Sequence, residues 1–187
     1  MADQAAPSCR LELKDKMLKS LSVGSPRVRL LITKHPLRPL SMSDAITGAK
    51  SLYDFSAKKI LGDEPVDFNQ FRDKVVIVVN GASQCGYTKS SYTGLSSLLD
   101  SYYDQGLRVL VFPCNQFMNQ EKEGPEKIKE YIEQFDKRFV VAEKVDVLGS
   151  DIHPIFAWLK DKCPGFLVNT IKWNFTKVHP SKTLQVG

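Results

Sequence analysis

The sequence predicts an α/β fold with a mostly parallel central sheet and a hairpin at the start of the folded region. Residues 74–80 and 107–112 are almost wholly apolar, as expected of strands that are covered on both faces. Between them, apolar residues recur at steps of three and four, which is typical of a helix with one buried face: Tyr92, Leu95, Leu98, Leu99 and Tyr102. A strand, a helix and a strand at this spacing predict a right-handed βαβ unit with parallel strands.

The hairpin is predicted ahead of this unit. Residues 52–55 alternate apolar and polar side chains as a half-buried strand does, and residues 66–68 form a second short strand. A turn at residues 61–64 separates the two. We therefore expect an antiparallel pair before the first buried strand.

Two further helices and two further strands are predicted after the βαβ unit. Pro125 lies near the start of one helix and Pro154 opens the other, since proline is well tolerated in a first helical turn. A strand is expected near residues 139–145, and the last strand near residues 171–176. Helices and strands thus alternate along the chain, as they do in α/β proteins.

Length and charge predict one folded domain behind a basic extension. The chain has 187 residues, of which 42% are apolar, enough for one core. Residues 1–50 hold nine Lys and Arg against four Asp and Glu, whereas residues 51–187 hold 17 of each, so the extension carries the whole net charge of +5. The balanced domain gives no electrostatic sign of nucleic-acid binding. No stretch approaches the roughly 18 apolar residues of a transmembrane segment.

The extension has two interpretations, a disordered tail and an organelle transit peptide. Its basic, serine-bearing composition suits a transit peptide, but Asp3, Glu12 and Asp15 argue against one. Translation from Met42 would yield a form without most of it. We expect a cytoplasmic protein, with a mitochondrial or other organellar location through residues 1–41 as the alternative.

The four cysteines, Cys9, Cys85, Cys114 and Cys163, are widely spaced. None forms a CxxC pair or the Cys/His spacing that zinc requires, so no metal site is expected. In a chain without a recognisable secretory signal, each thiol is expected to be either a buried apolar group or a reactive one.

Cys85 is the candidate reactive thiol because it follows the central strand and precedes the first long helix. Unpaired backbone N–H groups and the positive end of the helix dipole favour a thiolate at such a position. A cysteine at a strand-to-helix turn is as often a buried structural residue, so position alone leaves both roles open.

Four sequence blocks place Cys85 in a recognisable context: ASQCG at residues 82–86, FPCNQF at 112–117, NQE at 119–121 and KWNFTK at 172–177. With YDFSA at residues 53–57, they resemble the glutathione peroxidase family over residues 51–177. The resemblance implies a thioredoxin-like fold. It also implies a four-residue active site at Cys85, Gln120, Trp173 and Asn174.

The implied reaction is thiol-dependent reduction of hydrogen peroxide and of organic or lipid hydroperoxides through a Cys85 sulfenic acid, as part of the response to oxidative stress. Glutathione or a thioredoxin-like protein would be the reductant, and no metal, haem or flavin is required. The alternative is a non-enzymatic redox sensor or an inactive truncated isoform.

Within the family, the chain is most similar to the monomeric phospholipid-hydroperoxide branch that uses cysteine rather than selenocysteine. Residues 146–171 lack the insertion through which tetrameric members assemble, so a monomer is expected. Glu133 occupies the position of the usual resolving cysteine. Cys163 is a weaker candidate for that role, and a passive loop thiol is the preferred interpretation.

Three departures from the family pattern predict local changes. Gly81 replaces the usual Val, which predicts looser packing beneath Cys85, and Met118 replaces the usual Gly, which predicts strain if that position needs a positive φ. After residue 177, the last strand and helix of the family are expected to be missing, which would leave a sheet edge uncovered.

Overall fold

The computed structural model describes residues 48–162 and 170–178. The predicted extension therefore lies outside the described residues, except for its last three positions. Cys9 and Cys163 also lie outside the described residues. The elements in chain order are β1 (Val75–Gly81), α1 (Thr88–Tyr102), β2 (Leu107–Pro113), α2 (Pro125–Glu133), β3 (Val140–Val141), α3 (Pro154–Lys162) and β4 (Lys177–Val178).

The strands form one sheet in the order β3-β2-β1-β4. β1 and β2 are parallel along their whole length, from Val75 opposite Leu107 to Gly81 opposite Pro113. β3 is parallel to β2, and β4 is antiparallel to β1. The predicted βαβ unit and mostly parallel sheet are confirmed. Because β1 and β2 are in register, their carboxyl ends lie side by side and project two loops from the same edge.

Helices cover both faces of the sheet, which explains why its central strands are apolar on both sides. On one face, buried residues of α3 pack with alternate residues of the central strands: Val76, Val78, Leu110, Phe112, Ile155, Phe156 and Leu159. On the other, α1 and α2 pack against the intervening positions: Val79, Val109, Val111, Leu95, Leu99, Ile128 and Ile132. None of the helices in the described ranges has the length and apolar character that crossing a bilayer requires.

The predicted hairpin is present only in part: a short antiparallel pairing surrounds the predicted turn, but residues 52–55 are not a strand. Residues 52–55 begin with a 3-10 helix, Leu52–Asp54, because the Asp54 carboxylate accepts hydrogen bonds from the backbone N–H groups of Lys50 and Ser51 at 2.8 and 2.9 Å. A second 3-10 helix, Phe68–Phe71, begins at the last residue of the strand predicted at residues 66–68. The antiparallel pairing is limited to one isolated bridge between Lys58 and Pro65, around the predicted turn.

The last two predicted strands are shorter or displaced. Only Val140–Val141 of residues 139–145 is a strand, and residues 171–176 are not one. Instead, the chain turns at Phe175, which has a φ of 62°. The Thr176 hydroxyl stabilises this turn by donating to the Trp173 carbonyl at 2.8 Å. The strand begins at residue 177, after the turn.

Candidate active site

The parallel strands β1 and β2 place two loops next to each other at the carboxyl edge of the sheet. The loop at residues 82–87 carries Cys85, and the loop at residues 114–121 carries Gln120. They are joined where they leave the sheet, since the Cys114 N–H donates to the Gly81 carbonyl at 2.8 Å. They are joined again near their tips, where the Gln84 N–H donates to the Gln120 carbonyl at 2.9 Å.

Cys85 lies in the turns that immediately precede α1, as the sequence predicts. Its carbonyl accepts from the Thr88 N–H at 3.0 Å, and the Thr88 hydroxyl donates to the Ala82 carbonyl at 2.6 Å. These two bonds tie the loop to the first residue of α1. Cys85 is 8% exposed, so only a small part of the residue is accessible to solvent.

Gln120 and Asn174 are in direct contact although 54 residues separate them. The Asn174 Nδ2 donates to Gln120 Oε1 at 2.9 Å. Asn174 is 5% exposed, and Gln120 is half-buried. Since Gln120 is also bonded to the residue before Cys85, three of the four predicted site residues lie in one connected region.

Trp173, the fourth predicted residue, lies beside the second loop. Its ring packs on the Phe117 ring with centroids 5.5 Å apart, and it is 37% exposed. Trp173 thus combines packing on the site with access to solvent.

Asn80 anchors the segment that carries Trp173 and Asn174, a role that sequence reasoning missed. Its side-chain Nδ2 donates to the Trp173 carbonyl at 3.2 Å, and its backbone carbonyl accepts from the Phe175 N–H at 2.7 Å. Asn80 is fully buried at the end of β1. The sequence did contain a signal for this role, an amide side chain at the end of an otherwise apolar strand. Because buried polar groups are hydrogen-bonded, such an amide predicts a partner elsewhere in the chain.

Glu121 is a second functional candidate that sequence reasoning did not single out. Its side chain is fully buried, and Oε2 accepts from the Ser83 N–H at 2.8 Å and from the Ser83 hydroxyl at 3.1 Å. Burial raises the pKa of the Glu121 carboxyl, although the Ser83 hydrogen bonds and the charge of Lys144 oppose that shift. The sequence signal that could have identified Glu121 was its position as the acidic residue of the NQE block at residues 119–121.

The remaining candidates for thiol chemistry are differently placed. Cys114 is fully buried, and burial raises the pKa of its thiol. Glu133, at the position of the usual resolving cysteine, ends α2 and forms an ion pair with Lys129. Within residues 48–162 and 170–178, no His, Cys, Asp and Glu side chains cluster as metal ligands would.

The two departures next to the site have different outcomes. Met118 has a φ of 52°, so the condition for the predicted strain is met, and its side chain is 74% exposed. Gly81, in contrast, does not loosen the packing: a Cβ at this position would overlap the Tyr92 hydroxyl and lie 3.3 Å from a Val111 methyl carbon. The Tyr92 hydroxyl therefore fills the space that a side chain at residue 81 would take.

Comparison with known proteins identifies the family. A model of the glutathione peroxidase family matches residues 52–160. The chain belongs to the glutathione peroxidase family. It is 45% identical over 128 residues to "Glutathione peroxidase" of Lactococcus lactis subsp. cremoris, which covers 68% of this chain and 80% of the bacterial protein. It is also 45% identical over 129 residues to "Probable phospholipid hydroperoxide glutathione peroxidase" of Mesembryanthemum crystallinum, covering 68% and 75% of the two chains.

The fold of a solved glutathione peroxidase supports the same membership. The crystal structure of T. cruzi GPX1 is 37% identical to this chain and superposes with a TM-score of 0.55 over 68% of this chain and 76% of that one. The thioredoxin-like fold implied by the sequence blocks is therefore confirmed. As a glutathione peroxidase, the chain belongs to a family of thiol-dependent enzymes that reduce hydroperoxides.

Proposed function

We propose that Cys85 is the peroxide-reducing residue and that Gln120, Trp173 and Asn174 assist it. The Cys85 thiolate attacks one peroxide oxygen, the O–O bond breaks, and the departing oxygen takes a proton to leave as water or an alcohol. Cys85 becomes a sulfenic acid. The observation that carries the proposal is the hydrogen bond between Asn174 and Gln120 beside the loop of Cys85.

The Asn174–Gln120 bond also orients a donor. Because Gln120 Oε1 accepts from Asn174, the NH2 group of the Gln120 amide points to the opposite side of the same side chain. A neutral donor that is fixed before the reaction stabilises charge developing on an oxygen at little cost in reorganisation. Gln120 and Asn174 are thus assigned to hold the departing oxygen, with the partly exposed Trp173 beside them.

An external thiol completes the cycle in this proposal. A reductant thiol condenses with the Cys85 sulfenic acid to a mixed disulfide and water, and a second thiol then releases Cys85 and forms the oxidised reductant. Two observations support an external thiol: Cys114 is fully buried, and Glu133 carries no sulfur. Glutathione and a thioredoxin-like protein are the two reductants proposed.

The proposed substrates are hydrogen peroxide and organic or lipid hydroperoxides. Support comes from exposed apolar side chains on the segments that carry the site, with exposed fractions of 63% for Tyr87, 74% for Met118 and 37% for Trp173. Such side chains favour contact with an apolar substrate.

Peroxide consumption by the purified full-length chain tests this function. Hydrogen peroxide and cumene hydroperoxide are supplied in turn with glutathione or with reduced thioredoxin, and Cys85 is probed for sulfenic acid by dimedone labelling and mass spectrometry. Turnover and labelling are expected in the wild type and in Cys114→Ser, and neither is expected in Cys85→Ser. Equal turnover in Cys85→Ser and the wild type would refute the assignment. Absence of turnover and labelling in all three would instead favour a non-enzymatic role.

A further inference from the structure

Glu121 joins the two loops of the site at their tips. Its Oε2 accepts two hydrogen bonds from Ser83, while the neighbouring Gln120 carbonyl accepts one from the Gln84 N–H. Two consecutive residues of one loop thus hold the two consecutive residues that precede Cys85. The position of the thiol relative to Gln120 depends on these bonds.

Glu121 is itself held from two other directions. Its N–H donates to Asn115 Oδ1 at 2.9 Å, and its carbonyl accepts from Lys144 Nζ at 3.0 Å. Lys144 also donates to the Glu123 carbonyl at 2.9 Å. The Glu121 backbone is therefore fixed at both its N–H and its carbonyl, and the side chain that holds Ser83 extends from this fixed position.

Burying the ionised Glu121 side chain carries a free-energy penalty. A buried carboxylate loses its hydration, and the loss is repaid only by good hydrogen bonds. Oε1 of Glu121 is buried and has no hydrogen-bond partner within the described residues. A neutral amide of the same shape could accept the Ser83 N–H without this cost. A carboxylate, however, holds Ser83 more firmly than a neutral amide oxygen would, because charge-assisted hydrogen bonds are stronger.

We propose that Glu121 is the positioning residue for the reactive thiol: its carboxylate holds Ser83, and through Ser83 places Cys85 against Gln120. The inference rests on the proposed function only in taking Cys85 as the reacting residue. Two charge-assisted hydrogen bonds to one residue are stronger and more directional than neutral ones. Weakening them lets the loop carrying Cys85 move away from its donors.

Protonation of Glu121 weakens this contact, because the two hydrogen bonds from Ser83 then lose their charge assistance. Burial, with the neighbouring charge of Glu123, raises the pKa of the Glu121 carboxyl against the opposing effect of the Ser83 hydrogen bonds and the Lys144 charge. The Glu121 charge also acts on the Tyr92 phenol of α1 and on the Cys114 thiol after β2: burial raises the pKa of each group, and that charge adds to the shift. As pH falls and Glu121 becomes protonated, Cys85 loses its fixed position.

Measurement of Cys85 reactivity in Glu121→Gln tests the proposal. The rate constants for oxidation of Cys85 by hydrogen peroxide in a single turnover, and for its alkylation by iodoacetamide, are followed against pH. The expected result is a roughly tenfold lower peroxide rate constant, the size of effect that loss of a charged hydrogen-bond partner produces. The wild-type profile should contain an inflection, besides that of the thiol, that Glu121→Gln lacks. Glu121→Asp should recover part of the rate, and the matched exposed variant Glu130→Gln should behave as the wild type.

Two further outcomes keep the test decisive. Wild-type rates and an unchanged pH profile in a folded Glu121→Gln would overturn the proposal. If Glu121→Gln does not fold, Ser83→Ala removes only the hydroxyl bond and must slow peroxide oxidation about threefold, so that an unchanged rate there overturns it too. Failure of the proposed function would look different, because the wild-type Cys85 would then resist peroxide while its alkylation still responded to Glu121.

Discussion

Asn174 donates its side-chain N–H to Oε1 of Gln120 at 2.9 Å, across 54 residues of sequence. Neither side chain is charged, and Asn174 is almost wholly buried. The bond therefore fixes two amides next to the loop of Cys85 without introducing a charge that would compete with a thiolate.

Loss of this bond should slow peroxide reduction more than it affects folding. In Asn174→Ala, the Gln120 amide is no longer oriented, and the rate constant of peroxide reduction should fall about a hundredfold, as for removal of one preorganised donor. Stopped-flow oxidation of Cys85 measures it, and Gln105→Ala, at an exposed position after α1, is the control. Gln120→Ala combined with Asn174→Ala should cost little more than either change alone, since both remove the same unit. Fully additive losses would show that the two amides act independently.

Gly81→Ala should destabilise the protein by about 1–3 kcal/mol, as overpacking of a core does. The added Cβ overlaps the Tyr92 hydroxyl, and the ring cannot simply withdraw because it packs on Phe135 and Phe175 with centroids 5.2 and 5.0 Å away. Urea denaturation gives the free energy of unfolding.

Two variants separate this overlap from a general effect of replacing glycine. Tyr92→Phe removes a buried hydroxyl that has no partner among the described residues, so it should recover most of the loss in Gly81→Ala. Gly94→Ala, where a Cβ meets nothing within 4 Å on α1, should instead stabilise by about 0.5–1 kcal/mol. If Tyr92→Phe brings no recovery, the overlap is not the cause.

The two described cysteines should differ strongly in reactivity. Cys114 is fully buried and burial raises the pKa of its thiol, which lowers the thiolate fraction at neutral pH, whereas Cys85, in the loop before α1, is 8% exposed and so retains some access for a reagent. Brief alkylation of the native protein followed by peptide mapping should label Cys85 first. Both should react equally in denaturant. Faster labelling of Cys114 in the native state would contradict the assignment of Cys85 as the reactive thiol.

Asp136 should stabilise the fold in a pH-dependent way. Burial alone would raise the pKa of its carboxyl, but hydrogen bonds from Arg138 and Ser96 outweigh burial and hold that pKa below its usual range. A carboxyl with a lowered pKa contributes stability above its unfolded pKa and loses it as pH falls through the folded value. Asp136→Asn should thus destabilise by about 1–3 kcal/mol at neutral pH, with the difference shrinking in acid.

Chemical denaturation at several pH values measures the effect of Asp136→Asn. The control is Asp63→Asn, because Asp63 pairs with Lys58 on the surface with its side chain 93% exposed. Solvent screens such a pair, so the denaturation midpoint should not move. A pH-independent difference for Asp136→Asn would show that packing, and not charge, is responsible.

The central part of the fold was predictable because its signals are local. β1, α1 and β2 each carry their own periodicity, and the short distance between them leaves one common topology. The position of Cys85 before α1 follows from the same pattern. Gln120, Trp173 and Asn174 could be named only through the resemblance, since nothing in their spacing indicates that they meet.

The errors arose where side chains decide the backbone. Residues 52–55 alternate like a strand, yet the Asp54 carboxylate binds the two N–H groups before the segment and forms a 3-10 turn. The last strand was displaced because Asn80 takes up the Trp173 carbonyl and the Phe175 N–H. Contacts across 93 residues are not visible in a local pattern.

The two Asn80 hydrogen bonds join residues that are synthesised at different times, because their partners lie more than 90 residues later in the chain. Cys85 leaves the ribosome 89 residues ahead of Asn174, which at about 5–20 residues per second is an interval of roughly 4–18 s. Throughout this time the nascent chain carries the thiol without the segment that Asn80 will anchor. The proposed peroxide chemistry at Cys85 therefore requires synthesis past residue 175, and a nascent chain that ends earlier carries the thiol without its proposed partners.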